Sequence, residues 1–122
     1  LSEVRGMKRG VRVTDLDRVV SFQRRGEVDD GHGNKVDGDF AEVFREWAKV
    51  KPMKGGEGVV EARLSARQPA ILTVRATTAA EAVNADWIAV TGGVVWSIKE
   101  PPRLTDDRQF LEMLVERGRV NG

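Results

Sequence analysis

The chain has 122 residues, one domain's worth, and a domain of that size buries roughly two-thirds of its unfolded surface, enough for one core without disulfides or metal. With no cysteine and a single histidine, His32, a disulfide framework, a thiolate zinc site, a cysteine nucleophile and most histidine-based catalysis are excluded. Twenty Lys and Arg against nineteen Asp and Glu leave a formal charge of +1, which argues against a globally basic nucleic-acid binder, and no apolar run approaches the ~20 residues of a membrane span.

No signal-peptide pattern opens the chain, so it is expected to be soluble and made in a cytoplasm. It begins at Leu1, which predicts either trimming or a non-standard start codon, with Met7-Lys8-Arg9-Gly10 as an alternative start. Residues 1–13 are expected to form a basic, partly flexible arm, and residues 14–122 a single domain. From Leu16 to Arg24, Leu16, Val20 and Phe22 share one side at period two, which predicts a half-buried strand. The polar, glycine-rich stretch from Gly26 to Gly38 predicts a loop. Its Asp29, Asp30, Asn34, Asp37 and Asp39 invite a calcium reading, but counting from Asp29 puts Gly31 and Gly33 at ligand positions and Asn34 where a glycine is needed. No metal is therefore expected, and His32 reads as a solvated loop residue.

In Phe40 to Lys51, the residues Phe40, Val43, Phe44, Trp47 and Val50 follow helical spacing, while Phe44, Ala48 and Val50 also share a strand face; periodicity alone favours the helix. Pro52 ends the element, Gly55, Gly56 and Gly58 open a loop, and Val59 to Arg67 predicts a short helix with Val60 and Leu64 on its apolar face. Pro69 separates that segment from A-I-L-T-V-R-A, in which Leu72 and Val74 alternate with Thr73 and Arg75 as in a strand. Thr77 to Asn84 fits a helical turn or a wide loop. Next, D-W-I-A-V-T-G-G-V-V-W-S-I-K predicts a hairpin turning at Gly92-Gly93 and anchored by Trp87 and Trp96. Pro101-Pro102 interrupts pairing, Thr105-Asp106-Asp107 makes a turn, and Gln109 to Arg117 fits both strand and helix. Short strands at intervals of about ten residues predict a mainly β chain, a small antiparallel barrel or sandwich.

Charge alternates along the chain: +4 over residues 1–25, −5 over 26–48, +4 over 49–76 and −2 over 77–122. Around the glycine loop stand Lys49, Lys51, Lys54, Arg63 and Arg67, which would attract a phosphate backbone if many copies directed them into a pore. Catalysis has no support. None of Ser2, Ser21, Ser65 and Ser97 lies in a G-x-S-x-G context, K-G-G-E-G lacks the ending of a phosphate loop, and G-H-G-N-K does not match a dinucleotide fingerprint. Trp47, Trp87 and Trp96 each sit among apolar neighbours and are expected in core or subunit packing rather than in base stacking.

The order of these segments resembles the phage head-tail joining proteins of the head-closure or stopper type. The likeness runs from M-K-R-G and D-R-V-V-S-F-Q-R-R through D-D-G-H-G-N and V-F-R-E-W-A-K-V-K-P-M-K-G-G-E to A-I-L-T-V-R-A, the Trp87–Trp96 hairpin and Arg108 to Gly118. It implies strands at Phe44 to Lys51 and Gln109 to Arg117, hence about six strands with a long loop and one short helix between the second and third. It further implies a non-enzymatic virion protein made in the bacterial cytoplasm, assembled as a ring of twelve at the neck. The implied partners are other copies, the portal and adaptor, a tail terminator or tail protein and the packaged double-stranded DNA, with no cofactor and no membrane. On that reading Lys51, Lys54, Arg63 and Arg67 face the DNA, while Lys8, Arg9, Arg12, Asp29, Asp30 and Asp37 contact neighbouring subunits or rings. An adaptor or tail-completion protein, or a free small-barrel nucleic-acid-binding protein, are the alternatives.

Overall fold

Val20 and Phe22, two apart and strand-forming, turn inward on β1, Arg18–Asp29, and both are fully buried. The structure, a computed structural model, describes residues 12–64 and 66–118. The expected arm, with Lys8 and Arg9, lies outside the described residues as far as Val11. Its last two positions lead into a 3-10 turn, Val13–Asp15, where the Arg12 N–H donates to Asp15 Oδ2 at 2.9 Å.

The polar stretch after Arg25 is not a loop. β1 continues to Asp29 and β2, Lys35–Pro52, begins six residues later, so the two form a long antiparallel ribbon that reverses over residues 30–34. Asp29 Oδ1 accepts the Gly31 N–H and Asp30 Oδ1 the His32 N–H, while Gly31 and Gly33 take φ of +87° and +85°, a conformation that glycine adopts freely. A two-stranded ribbon exposed on both faces carries no apolar alternation, so its composition resembles that of a loop.

The helical spacing from Phe40 to Val50 is likewise overturned in favour of the strand that the resemblance implies. Val43 is the extra residue of a bulge, because Phe22 faces Phe44 and Gln23 faces Glu42. That extra residue breaks the period of two, and Trp47 points outward beside Val19; together they imitate a helical stripe.

Between β2 and β3 lies the expected short helix, α1, Glu57–Leu64, but its buried face is Val59 and Ala62, whereas Val60 and Leu64 are exposed. β3, Arg67–Arg75, starts before Pro69 rather than after it. The Pro69 carbonyl accepts the Met53 N–H at 3.0 Å, so the proline nitrogen faces the end of β2, where the ladder stops. The Gln68 side-chain amide donates to Met53 O at 3.3 Å and to Pro69 O at 2.6 Å, supplying the donor that proline lacks.

Thr77 caps the short helix α2, Thr78–Glu81, by accepting the Ala80 N–H. β4, Ile88–Thr91, and β5, Val94–Ile98, form the expected hairpin, with φ of +57° at Gly92 and +79° at Gly93, the signs of a two-residue primed turn. β6, Arg103–Leu104, and β7, Phe110–Gly118, complete the chain's elements.

All pairings are antiparallel, in the order β3-β2-β1-β4-β5-β7-β6, and β7 also pairs with β3. Six strands therefore close a circuit, with β6 lying beside β7, in agreement with the mainly β, antiparallel fold expected from the sequence. Closure removes sheet edges around the circuit. Inside it pack Val20, Phe22, Leu72, Val74, Trp96, Ile98, Met113 and Val115. Phe22 stacks on Phe44 with ring centroids 4.8 Å apart, and Phe44 meets the edge of Trp87 at 6.2 Å.

Candidate functional site

The ladder registers bring the end of β2, the start of β3 and the end of β7 to one end of the circuit, since Pro52 faces Ala70 and Arg67 faces Gly118. Exposed Lys51 on β2 and Lys54 just after it border a hollow of about 450 Å³ floored by Pro52, Met53 and Ile71. Arg63, on the outer side of α1, and Arg67 line a second, wider hollow of about 760 Å³ with Gln68, Val94 and Arg117. The four basic residues singled out from the sequence thus lie at one end but in two separate groups.

They are not equivalent. Arg67 Nη1 donates to both oxygens of Glu116, at 3.2 and 3.3 Å, and Lys99 Nζ lies 3.9 Å from the same carboxylate. The charge of Arg67 is therefore already answered within the chain. Lys51, Lys54 and Arg63 are exposed cations at the same end. Arg117 is an addition that sequence reasoning missed: it faces Gln68 across the β3–β7 ladder, with its guanidinium 5.7 Å from the Trp96 ring centroid. It sits in a strand whose pattern signals core, far along the chain from Arg63, Arg67 and Gln68 in the hollow, so no local signal points to it.

The opposite end carries the β1–β2 ribbon, and here stand Asp29, Asp30 and Asp37. Asp30 Oδ1 accepts the N–H groups of His32 at 2.7 Å and Asn34 at 3.2 Å; these bonds, that of His32 first, hold its carboxyl below the ordinary value of 3.8. Asp37 faces Glu27 directly, a like-charge pair of a kind that weakens a ribbon. Arg25 lies over the Phe40 ring at 4.4 Å and donates to Gly38 O at 3.0 Å. Lower on the ribbon, Glu42 accepts from Ser21 Oγ at 2.6 Å and from Arg45 Nε at 2.9 Å, which keep its carboxyl acidic, the serine bond contributing most. Ser21 Oγ thus donates to Glu42 and accepts from Gln23 Nε2 at 3.0 Å, Ser97 is exposed on β5, and Ser2 and Ser65 lie outside the described residues.

Trp87 and Trp96 are buried as expected, but Trp47 is 54% exposed and takes no part in the core. Its neighbour across the ladder, Val19, is also exposed, so the pair forms an apolar spot on the outer wall. Among the described residues no three His, Cys, Asp or Glu side chains gather closely enough to hold a metal ion, and no helix is long and apolar enough to cross a membrane.

A family model described as phage head completion protein matches residues 11–118. Among solved structures, the chain is similar to one from a particle described as the virion of a native gene transfer agent. There the TM-score is 0.63 at 20% identity, covering 87% of this chain and 97% of that one. It is also similar to protein SF1141 from Shigella flexneri 2a, determined in solution, with a TM-score of 0.66 at 18% identity, covering 91% and 100%. At these identities the likeness is one of fold. A comparison with curated proteins found no match.

Proposed function

The chain belongs to the family of phage head completion proteins, structural components of the phage particle, and from that membership we propose that it acts as a head-closure protein of the stopper type. Twelve copies form a ring at the neck beneath the portal and its adaptor, close the filled head, help to retain the packaged DNA and present a surface to the tail protein that follows. A similar fold in a gene transfer agent virion supports a particle setting. The protein is made in the host cytoplasm and has no catalytic step to perform.

The observation that carries this reading is the concentration of exposed cations at one end of the strand circuit. Lys51, Lys54 and Arg63 stand there with Arg117, while the acidic ribbon tip stands at the other end. One copy offers DNA only a few charges, but a ring that turns this end toward its channel repeats them around the duplex. Phosphates are then attracted without any reading of sequence, and the attraction weakens with salt. Arg67 contributes less than the notation of charge suggests, because Glu116 neutralises it.

The test is charge reversal at three positions, Lys51→Glu, Lys54→Glu and Arg63→Glu together. The variant should keep the circular dichroism spectrum and melting behaviour of the parent, because all three side chains are exposed, while particles carrying it release DNA and lose infectivity or transfer. Full retention of DNA in such particles would remove the proposed role.

A further inference from the structure

The strand circuit is closed, but the ribbon that grows from it is not. Among the described residues, β1 between Arg24 and Asp29 pairs only with β2, since its pairing with β4 spans Ser21 to Gln23. Among the same residues, β2 between Lys35 and Trp47 pairs only with β1, since its pairing with β3 begins at Ala48. The ribbon thus presents two free edges, with backbone N–H and C=O groups directed outward. Met53 exchanges its N–H with β3, and alternate residues back along β2 point the same way, so the backbone groups of Arg45 and Trp47 face the open side. An unpaired edge of this length is a template for another strand, and prolines are among the devices, with charges and bulges, that proteins set against such pairing. No proline occurs between Leu1 and Lys51.

We propose that these edges pair between copies of this chain, the β1 edge of one copy (24–29) lying antiparallel beside the β2 edge of the next (within 35–47). Two observations fit a second copy as the occupant. First, copies related by rotation all point their ribbons the same way; β1 ascending in one then lies beside β2 descending in the next, so every junction is antiparallel without any rearrangement. Second, the edges are complementary in charge. A pure rotation keeps copies at equal height, and the register within the ribbon, Arg25 facing Phe40, sets Arg24 and Arg25 of one copy near residues 39–42 of the next, where Asp39 and Glu42 stand. This contact is heterologous, so it builds a ring and not a twofold dimer. It deepens the head-closure reading and rests on it for the ring.

The absence of cysteine makes the contact directly readable. Two single variants, Arg24→Cys and Asp39→Cys, are prepared separately, mixed and treated with a short bismaleimide, both as purified protein and in particles assembled from the mixture. Because each chain carries one thiol, no link can form within a copy. A covalent dimer in the mixture, absent from either variant alone, is the expected result in at least one of the two preparations. Absence of the mixed dimer from both, or a dimer formed by either variant alone, overturns the proposal. Arg24→Glu should abolish the dimer of Asp39→Cys with a second-site thiol at Arg25→Cys, and unchanged linking would contradict the charge argument. The two levels separate cleanly: a neck ring without mixed linking leaves head closure standing and removes edge pairing, whereas mixed linking in purified protein that never enters particles does the reverse.

Discussion

At the ribbon tip Asp30 holds most of the turn, with Asp29 accepting one further N–H from Gly31. Asp30 accepts two backbone N–H groups, those of His32 and Asn34, and Gly31 and Gly33, on either side of His32, occupy the left-handed region. The folded chain favours the ionised form, which is why its carboxyl lies below the ordinary 3.8, the His32 bond contributing most. A depressed pKa contributes stability above the unfolded value and loses it as pH falls through the folded one. The turn should therefore stay ordered at pH 4 and above and loosen only below 3.8. Following the His32 and Asn34 amide resonances through an acid titration checks this; a midpoint at or above 3.8 would contradict it. The same residue-level view leaves Trp47, expected in core or subunit packing, outside the core. Aromatic character alone does not decide burial, because a strand offers two faces and only the face shared by Phe44, Ala48 and Val50 looks inward.

At the scale of elements, α1 shows how a correct secondary structure can conceal a wrong face. The pairing of Val60 with Leu64 follows from helical spacing, yet Val59 and Ala62 meet β3, because the direction in which a short helix lies is set by its connections. Val59→Asp should therefore cost about 1.5–3 kcal/mol, the worth of a buried valine. Leu64→Glu, at a position 84% exposed, should change stability by less than about 0.5 kcal/mol. Chemical denaturation of the two variants measures both, and equal losses would mean that the helix lies otherwise. The Gly92-Gly93 hairpin was legible in the sequence, since turn chemistry acts over neighbouring residues, whereas Gln109 to Arg117 fitted strand and helix alike and is fixed as a strand by its pairing with β3. The ribbon from Arg24 to Asp39 was not legible, because it is solvated on both faces, and neither was the bulge at Val43, because a bulge is defined only against its partner strand. The candidate site was half legible: Lys51, Lys54 and Arg63 cluster along the chain, while Arg117 joins them, and Glu116 takes up Arg67, only through the long-range β3–β7 pairing.

For the whole molecule, a net charge of +1 conceals a separation of charge between two ends. The closed circuit supplies a rigid body. Exposed cations gather where β2, β3 and β7 meet, and a ribbon with open edges and a surplus of acidic groups extends from the other end. On the proposed reading, repetition by rotation turns one end into a charged collar and gives the ribbons neighbours to pair with. The most direct measurement is a cryo-electron microscopy reconstruction of the particle neck, with the chain traced in its own density. The account predicts a ring of copies at the head–tail junction with Lys51, Lys54 and Arg63 turned toward the DNA channel. A neck without this chain, or a ring whose cations face away from the channel, would contradict it.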